Sequence, residues 1–213
     1  MCELHIRKLG IRQYNLVFKE MRDFTQQRSA TSADEFWCVQ HPSVLTLGAN
    51  ADQQHILDQT AIPIAQSDRG GQVTYHAPGQ AIIYLLVDLR RKSIGVKQLV
   101  QFIEQSVVDL LNDYNIASQA RADAHGVYVN EAKIASLGLR VHSGCSYHGV
   151  ALNVDMDMGP FSSINPCGFP GLVVTQLKDH NVSESVEKVS EKLTIKLCEQ
   201  LNYTDSQIIS NAI

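Results

Sequence analysis

One thiol in this sequence sits where the backbone has little freedom. The stretch Ile164-Asn165-Pro166-Cys167-Gly168-Phe169-Pro170-Gly171 places two prolines and two glycines around Cys167. Pro166 fixes φ next to the cysteine, and Gly168 admits backbone conformations closed to other residues. A thiol held in such a loop is either a packed apolar group or a nucleophile. Cys2, Cys38, Cys145 and Cys198 are scattered without a C-x-x-C pair and read as buried, unreactive thiols.

A nucleophilic cysteine needs a neighbour that favours the thiolate, because only a few per cent of a free thiol ionises at neutral pH. Lys133, His76 and His148 have the right chemistry. An ammonium ~4 Å from a thiolate, at an effective dielectric of about 20, favours the anion by ~4 kcal/mol. One cation therefore suffices, and spacing alone does not choose among the three.

Lys133 opens an alternating run to Val141, on the face of Ala135, Leu137, Leu139 and Val141. Ser136 and Gly138 fall on the other face, and Gly149 and Ala151 alternate similarly in the next run. Four small residues on neighbouring strands predict a shallow slot that admits an alkyl chain, although the same pattern serves tight packing. Regular alternation points Lys133 away from that slot, so a bulge or a reach around the strand end is required. Arg69-Gly70-Gly71 is neither a Walker loop nor a dinucleotide fingerprint. Thr74 and His76, on one face of the strand that follows, are expected to line a polar mouth. His142, Cys145 and His148 lack metal-ligand spacing and a fourth partner, so no metal is expected.

These groups need a scaffold. With 213 residues the chain is long enough for one well-packed core, read as a single domain over 1–213. Its apolar content of 44% and charged content of 19% are ordinary for a globular protein. A net charge of −4 leaves no electrostatic footprint for nucleic acid. The N-terminus lacks the apolar core of a secretion signal, and the longest apolar run, Ala81 to Val87, is too short for a bilayer. Scattered free thiols suit a reducing cytoplasm, which is the expected location.

Helical periodicity marks Arg12 to Arg28, Val96 to Tyr114 and Ser183 to Leu201. Strands are expected at Leu4 to Leu9, Phe36 to Gln40, Val44 to Leu47 and Val73 to His76, and Ile62 to Gln66 leads into the Gly-rich turn. Ala81 to Val87 is apolar on both faces and reads as a central strand. Gly126 to Val129 and Ile134 to Val141 flank a tight turn at Asn130-Glu131, and Tyr147 to Val154 follows. Gln53 to Thr60 carries no clear pattern, and the polar tail after Tyr203 is expected to fray. Helices flanking hairpin-like strands predict an α+β fold with a largely antiparallel mixed sheet.

Three segments taken together resemble one family: Arg69 through Gln80, Lys133 through Gly138 with His148 through Asn153, and Asn165-Pro166-Cys167-Gly168. They look like the bacterial octanoyltransferases of lipoate biosynthesis, and the resemblance spans essentially the whole chain. Ala77 stands where many members carry glycine between His and Pro. The resemblance implies the fold of biotin and lipoate protein ligases. It also implies transfer of an octanoyl (or lipoyl) group from acyl carrier protein to a lysine of lipoyl domains. The acceptors would be those of 2-oxoacid dehydrogenases and the glycine cleavage H protein.

On the same basis Cys167 would be the acyl-carrying nucleophile and Lys133 its activator. Substrate would be bound by Arg69, Gly70, Gly71, Gln72, Val73, Thr74, Tyr75 and His76. Ser136, Leu137, Gly138, Gly149, Val150 and Ala151 would complete that site. No cofactor is implied, and the enzyme would act as a monomer. Arg90-Arg91-Lys92 is a candidate docking patch for an acidic carrier protein. Competing readings are an ATP-dependent ligase of the same fold, a lipoyl-domain binder without turnover, and a thiol hydrolase.

Overall fold

The computed structural model describes residues 3–58, 60–121, 123–204 and 206–209; Cys2 and Gln59 are among those outside it. The main sheet begins with β1 (Leu4–Ile11), followed by α1 (Tyr14–Gln27) and β2 (Asp34–Gln40). β1 and β2 run parallel, so the helix between them is a crossover and not a hairpin turn.

At His41-Pro42 the chain leaves this sheet, as a proline in an extended run requires. β3 (Val44–Leu47), β4 (Ile64–Gln66) and β5 (Thr74–His76) form a separate three-stranded sheet in the order β4-β3-β5. Within the stretch that carried no clear pattern, Gln53–His55 makes a single helical turn, and Ile56 bridges to Ile164.

β6 (Gln80–Leu86) is buried along its whole length, as its two-sided apolar pattern predicts. Next come α2 (Val96–Asp113), the short β7 (Gln119–Ala120), β8 (Gly126–Val129), β9 (Ala132–His142), β10 (Cys145–Asn153), α3 (Val186–Gln200) and β11 (Ser206–Ile209). The eight-stranded sheet has the order β11-β1-β2-β6-β10-β9-β8-β7. All pairs from β2 to β7 are antiparallel, which gives the expected α+β fold with a largely antiparallel mixed sheet. The tail departs from expectation, because β11 pairs in parallel with β1 where fraying was predicted. Backbone pairing outweighs the polar composition there.

One face of the sheet is covered by α2 and α3, whose Leu99, Ile103, Val107, Val189, Leu193 and Leu197 share a core with Ile83, Leu85 and Val150. The other face carries α1, whose Val17 and Met21 pack on Trp37, Ile82 and Tyr84. The small sheet has its own core around Leu45, Leu47, Tyr75 and Phe161. Its Gly70 N–H donates to the Leu139 carbonyl of β9 (2.9 Å), which ties it to the face opposite α2 and α3. Among the described residues, no helix is long and apolar enough to cross a membrane.

Candidate active site

Cys167 lies in a single helical turn, Pro166–Gly168, with its own backbone in the left-handed region at φ 56°. A residue with a side chain pays on the order of 1–3 kcal/mol for such a conformation. Three backbone bonds hold it: Cys167 N–H to Val73 O (3.0 Å), Gly168 N–H to Asn165 O (2.9 Å) and Phe169 N–H to Pro166 O (3.1 Å). Gly168, at φ 82°, is also needed for space, since a Cβ there would lie 2.7 Å from Gln72 Cγ.

Lys133 Nζ lies 3.1 Å from Cys167 Sγ. The lysine is only 2% exposed, and its ammonium sits 5.4 Å from the centre of the Tyr128 ring. Of the two routes that alternation left open for Lys133, a bulge or a reach around the strand end, the structure uses the bulge. Val127 pairs with Ala135, but Tyr128 pairs with Lys133, so Ile134 is an extra residue in β9. This bulge moves Lys133 onto the face of Ser136, while Ile134 and Ala135 both turn into the α2–α3 core. Lys133 N–H to Val173 O (2.8 Å) and Thr175 N–H to Lys133 O (3.0 Å) pin the backbone on its other edge. Of the three candidate helpers, the lysine is the one in contact with the thiol.

The other two have different partners. His76 Nδ1 lies 2.7 Å from Gln80 Oε1, and the Gln80 amide nitrogen donates to Asn153 Oδ1. Gln80 Oε1 must therefore accept, which makes Nδ1 the protonated nitrogen of His76. Burial, with the nearby His41, pushes His76 down to about 3, so it is neutral. His148 donates Nε2–H to Asp68 (2.9 Å), which also accepts from the Tyr147 hydroxyl. Burial opposes ionisation of Asp68, but these two donors outweigh it and hold the carboxyl below its usual range. His148 has φ 60°, which turns its ring to the same side as that of Tyr147, 5.0 Å away.

The thiol and the lysine open onto a cavity of about 410 Å³. Arg69, Gly70, Gly71, Gln72, Thr74 and His76 line it from the small sheet, with Ser136, Gly138, Gly149 and Ala151 below. Leu137 and Val150 border it, but their side chains pack into or against the α2–α3 core. Val73 and Tyr75 do not line it. Both belong to the core of the small sheet, and Val73 contributes its carbonyl to Cys167.

The register puts Ser136 opposite Ala151 and Gly138 opposite Gly149, as the alternation predicts. The two glycines, however, do not leave open space. Gly138 is covered by the alkyl part of Arg69, whose Cδ would lie 2.9 Å from an added Cβ. At Gly149 a Cβ would lie 2.1 Å from the Ile83 carbonyl oxygen. The slot therefore belongs to Ser136, Ala151 and Ile82.

Arg69 is buried, and its guanidinium donates to Gly70 O (3.0 Å), Thr46 O (2.7 Å) and Thr46 Oγ1 (2.8 Å), all neutral acceptors. Tyr14, Ile82, Tyr84 and Phe169 also line the cavity. Sequence reasoning missed Tyr14 and Tyr84 as site residues because both sit in apolar patterns that read as core.

Arg90-Arg91-Lys92 is occupied structurally. Arg90 pairs with Asp88, Arg91 with Asp34 (2.7 Å), and Lys92 donates to Leu201 O (2.7 Å). Burial raises the thiols of Cys38, Cys145 and Cys198, the last to about 11, in keeping with inert cysteines. Among the described residues, no three His, Cys, Asp or Glu side chains gather as a metal site.

Residues 13–197 match the lipoyl protein ligase A/B catalytic domain. A protein of Dechloromonas aromatica named octanoyltransferase is 53% identical over 197 residues, covering 92% of this chain and 96% of its own. One of the same name from Psychromonas ingrahamii is 50% identical, covering 95% and 94%. The fold is shared with a lipoate-protein ligase A solved with ATP (TM-score 0.81, 14% identity, 99% and 89% coverage). It is also shared with the biotin protein ligase of Aquifex aeolicus (TM-score 0.56, 13% identity, 95% and 70% coverage). The Lys133–Cys167 pair thus sits in a chain that belongs to the lipoyl protein ligase A/B catalytic-domain family, in its octanoyltransferase branch.

Proposed function

We propose that this chain transfers an octanoyl (or lipoyl) group from acyl carrier protein to lysines of lipoyl domains, through a thioester on Cys167. The observation that carries this reading is the 3.1 Å contact between Lys133 Nζ and Cys167 Sγ at a cavity they both line. The buried ammonium favours the thiolate by Coulomb attraction.

In the first step the Cys167 thiolate attacks the carbonyl carbon of the donor thioester. A new C–S bond forms, the carrier's C–S bond breaks, and the carrier sulfur leaves with a proton from Lys133. The exchange is nearly isoenergetic, so covalent capture costs little. In the second step the acceptor lysine amine attacks the same carbon. The amide C–N bond forms, Cys167 leaves as the thiolate, and the now neutral Lys133 takes the amine proton. A thioester is reactive enough toward an amine that this route requires no nucleotide.

Oxyanion stabilisation falls to the Gly-rich turn. The amides of Cys167, Gly168 and Gly70 are committed to Val73, Asn165 and Leu139 carbonyls. Those of Gly71 and Gln72 make no hydrogen bond to described residues and border the same cavity. They are the donors proposed to face the tetrahedral intermediate.

Incubation with octanoyl-acyl carrier protein should add one octanoyl mass to the protein, located at Cys167 by peptide mapping. The adduct should discharge onto an apo-lipoyl domain without ATP. Full transfer by Cys167→Ala, or strict ATP dependence, would overturn the proposal.

A further inference from the structure

The second half of the proposed reaction releases more protons than Lys133 alone can take. At neutral pH the acceptor lysine arrives as the ammonium, because an unperturbed amine of pKa ~10.4 is almost wholly protonated. An ammonium nitrogen that becomes an amide nitrogen gives up two of its three protons. Lys133, left neutral by the first step, takes one. The other needs a second acceptor beside the thioester, one that can pass it on to water.

Among the described residues, three histidines line the cavity: His76, His125 and His148. Burial opposes a positive charge on His76 and on His148, and both rings are already bonded, to Gln80 and Asp68. His125 differs on both counts. Its side chain is 64% exposed, so the ring meets solvent as well as the cavity. It directly precedes Gly126, whose missing side chain leaves the space that Lys133 Nζ crosses. That places the His125 Cα within about 9 Å of the ammonium.

A carboxylate stands behind the ring. Glu104 of α2 is only 6% exposed, and its Oε1 accepts the Gly126 N–H (3.0 Å) and lies 3.4 Å from His125 Nδ1. A buried carboxylate is costly unless it is paired, and the His125 contact becomes an ion pair once the ring gains a proton. With Nδ1 turned to Glu104, Nε2 is left for an incoming proton. The other ionisable groups around the cavity include Lys133 from β9, Cys167 from its turn, Arg69 from the small sheet and Asp123, which Arg121 pairs (2.8 Å).

We infer that His125 takes the first proton from the acceptor lysine, with Glu104 balancing the charge that the ring gains. The inference rests on the acyl-thioester reading above and deepens its second step. The acceptor ammonium gives one proton to His125 Nε2 and becomes the neutral amine. The amine attacks the octanoyl carbonyl carbon, the C–N bond forms, and its second proton passes to Lys133. The C–S bond breaks and Cys167 leaves as the thiolate. The exposed imidazolium then returns its proton to water.

The test reads the two steps in one preparation. Octanoyl-acyl carrier protein loads Cys167, the loaded enzyme is freed of carrier and mixed with an apo-lipoyl domain, and intact mass follows loading and discharge between pH 7 and 9.5. His125→Ala should lower the ratio of discharge to loading at least tenfold at pH 7, and a ratio is insensitive to a general loss of folded enzyme. In the variant, discharge should rise about tenfold per pH unit, as the fraction of neutral amine does, until the gap to wild type is under threefold. Added imidazole should restore part of the ratio at pH 7.

An unchanged ratio in His125→Ala overturns the inference and leaves the acyl-enzyme reading standing. So does a loss that neither imidazole nor alkaline pH relieves, since that is the mark of a structural role. No octanoyl adduct on the wild-type enzyme removes both.

Discussion

The side chain of Lys133 crosses β8 directly over Gly126, where a Cβ would lie 2.3 Å from Lys133 Cε and 3.1 Å from Nζ. Gly126 has φ 142°, a backbone conformation that residues with side chains rarely adopt, and its N–H donates to the buried Glu104 (3.0 Å). The lysine reaches the thiol because position 126 has no side chain.

Gly126→Ala is therefore expected to disable Cys167 without touching it. Alkylation of Cys167 by iodoacetamide at neutral pH should slow at least tenfold, at a stability cost of about 1–3 kcal/mol from backbone strain. Peptide mapping after timed alkylation, beside a thermal melt, measures both. Native alkylation in a folded variant would show that Lys133 has another route to the thiol.

Replacing the lysine itself separates charge from packing. Lys133→Met keeps most of the buried alkyl arm and removes the ammonium that faces Cys167 and Tyr128. Octanoyl transfer and Cys167 alkylation should both fall tenfold or more, while the urea midpoint changes little or rises, since a buried charge is removed. If the pH profile of alkylation matches wild type, Lys133 has no part in activating the thiol.

Stability should decline in mild acid, with the buried histidines as the cause. His41 donates Nδ1–H to the Arg12 carbonyl (2.6 Å), so its Nε2 accepts from the Tyr84 hydroxyl (2.7 Å). Burial pushes His41 down to about 4 and His76 to about 3, from 6.5. Below 6.5 the unfolded chain binds protons that the native state does not. Their contribution is whole above that pH and is lost as pH falls toward 4 and 3, by up to ~1.4 kcal/mol per pH unit per histidine. Asp68 adds a separate loss at lower pH, as its depressed carboxyl is protonated. Urea unfolding at pH 7.5, 6 and 5 should show this slope, and His41→Gln should flatten it. Equal stabilities at pH 7.5 and 5 would contradict it.

Asp34 offers the opposite case, a residue that matters for stability and lies outside the cavity. It is fully buried and accepts from Arg28 (2.5 Å), Arg91 (2.7 Å), the Tyr203 hydroxyl (2.7 Å) and Asp88 N–H (2.8 Å). Asp34→Ala leaves the Arg28 charge buried without this partner and should cost about 3–5 kcal/mol. Below its lowered melting temperature, Cys167 should alkylate at the wild-type rate. A variant of native stability would mean that the two arginines find other acceptors.

The sequence by itself determined what depends on neighbours along the chain. Helical periodicity located α1, α2 and α3 to within three residues at each end, because one apolar stripe must face a core. The two-sided apolar run marked β6 as central, and Asn130-Glu131 marked the β8–β9 turn. Pro166 and Gly168 marked a constrained loop around Cys167, although not that the cysteine itself adopts the left-handed conformation.

Tertiary structure decided what depends on pairing partners far along the chain. Alternation put Lys133 on the wrong face because one extra residue, Ile134, inverts it, and a bulge is visible only against the register of the partner strand. Alternation left Gly138 and Gly149 as either slot or tight packing, and Arg69 and the Ile83 carbonyl occupy the space beside them. Tyr14 and Tyr84 read as members of apolar stripes, and only the packing of α1 and the small sheet over β6 brought both to the wall of one cavity. Local chemistry singled out the Cys167 thiol, and long-range packing set what stands beside it.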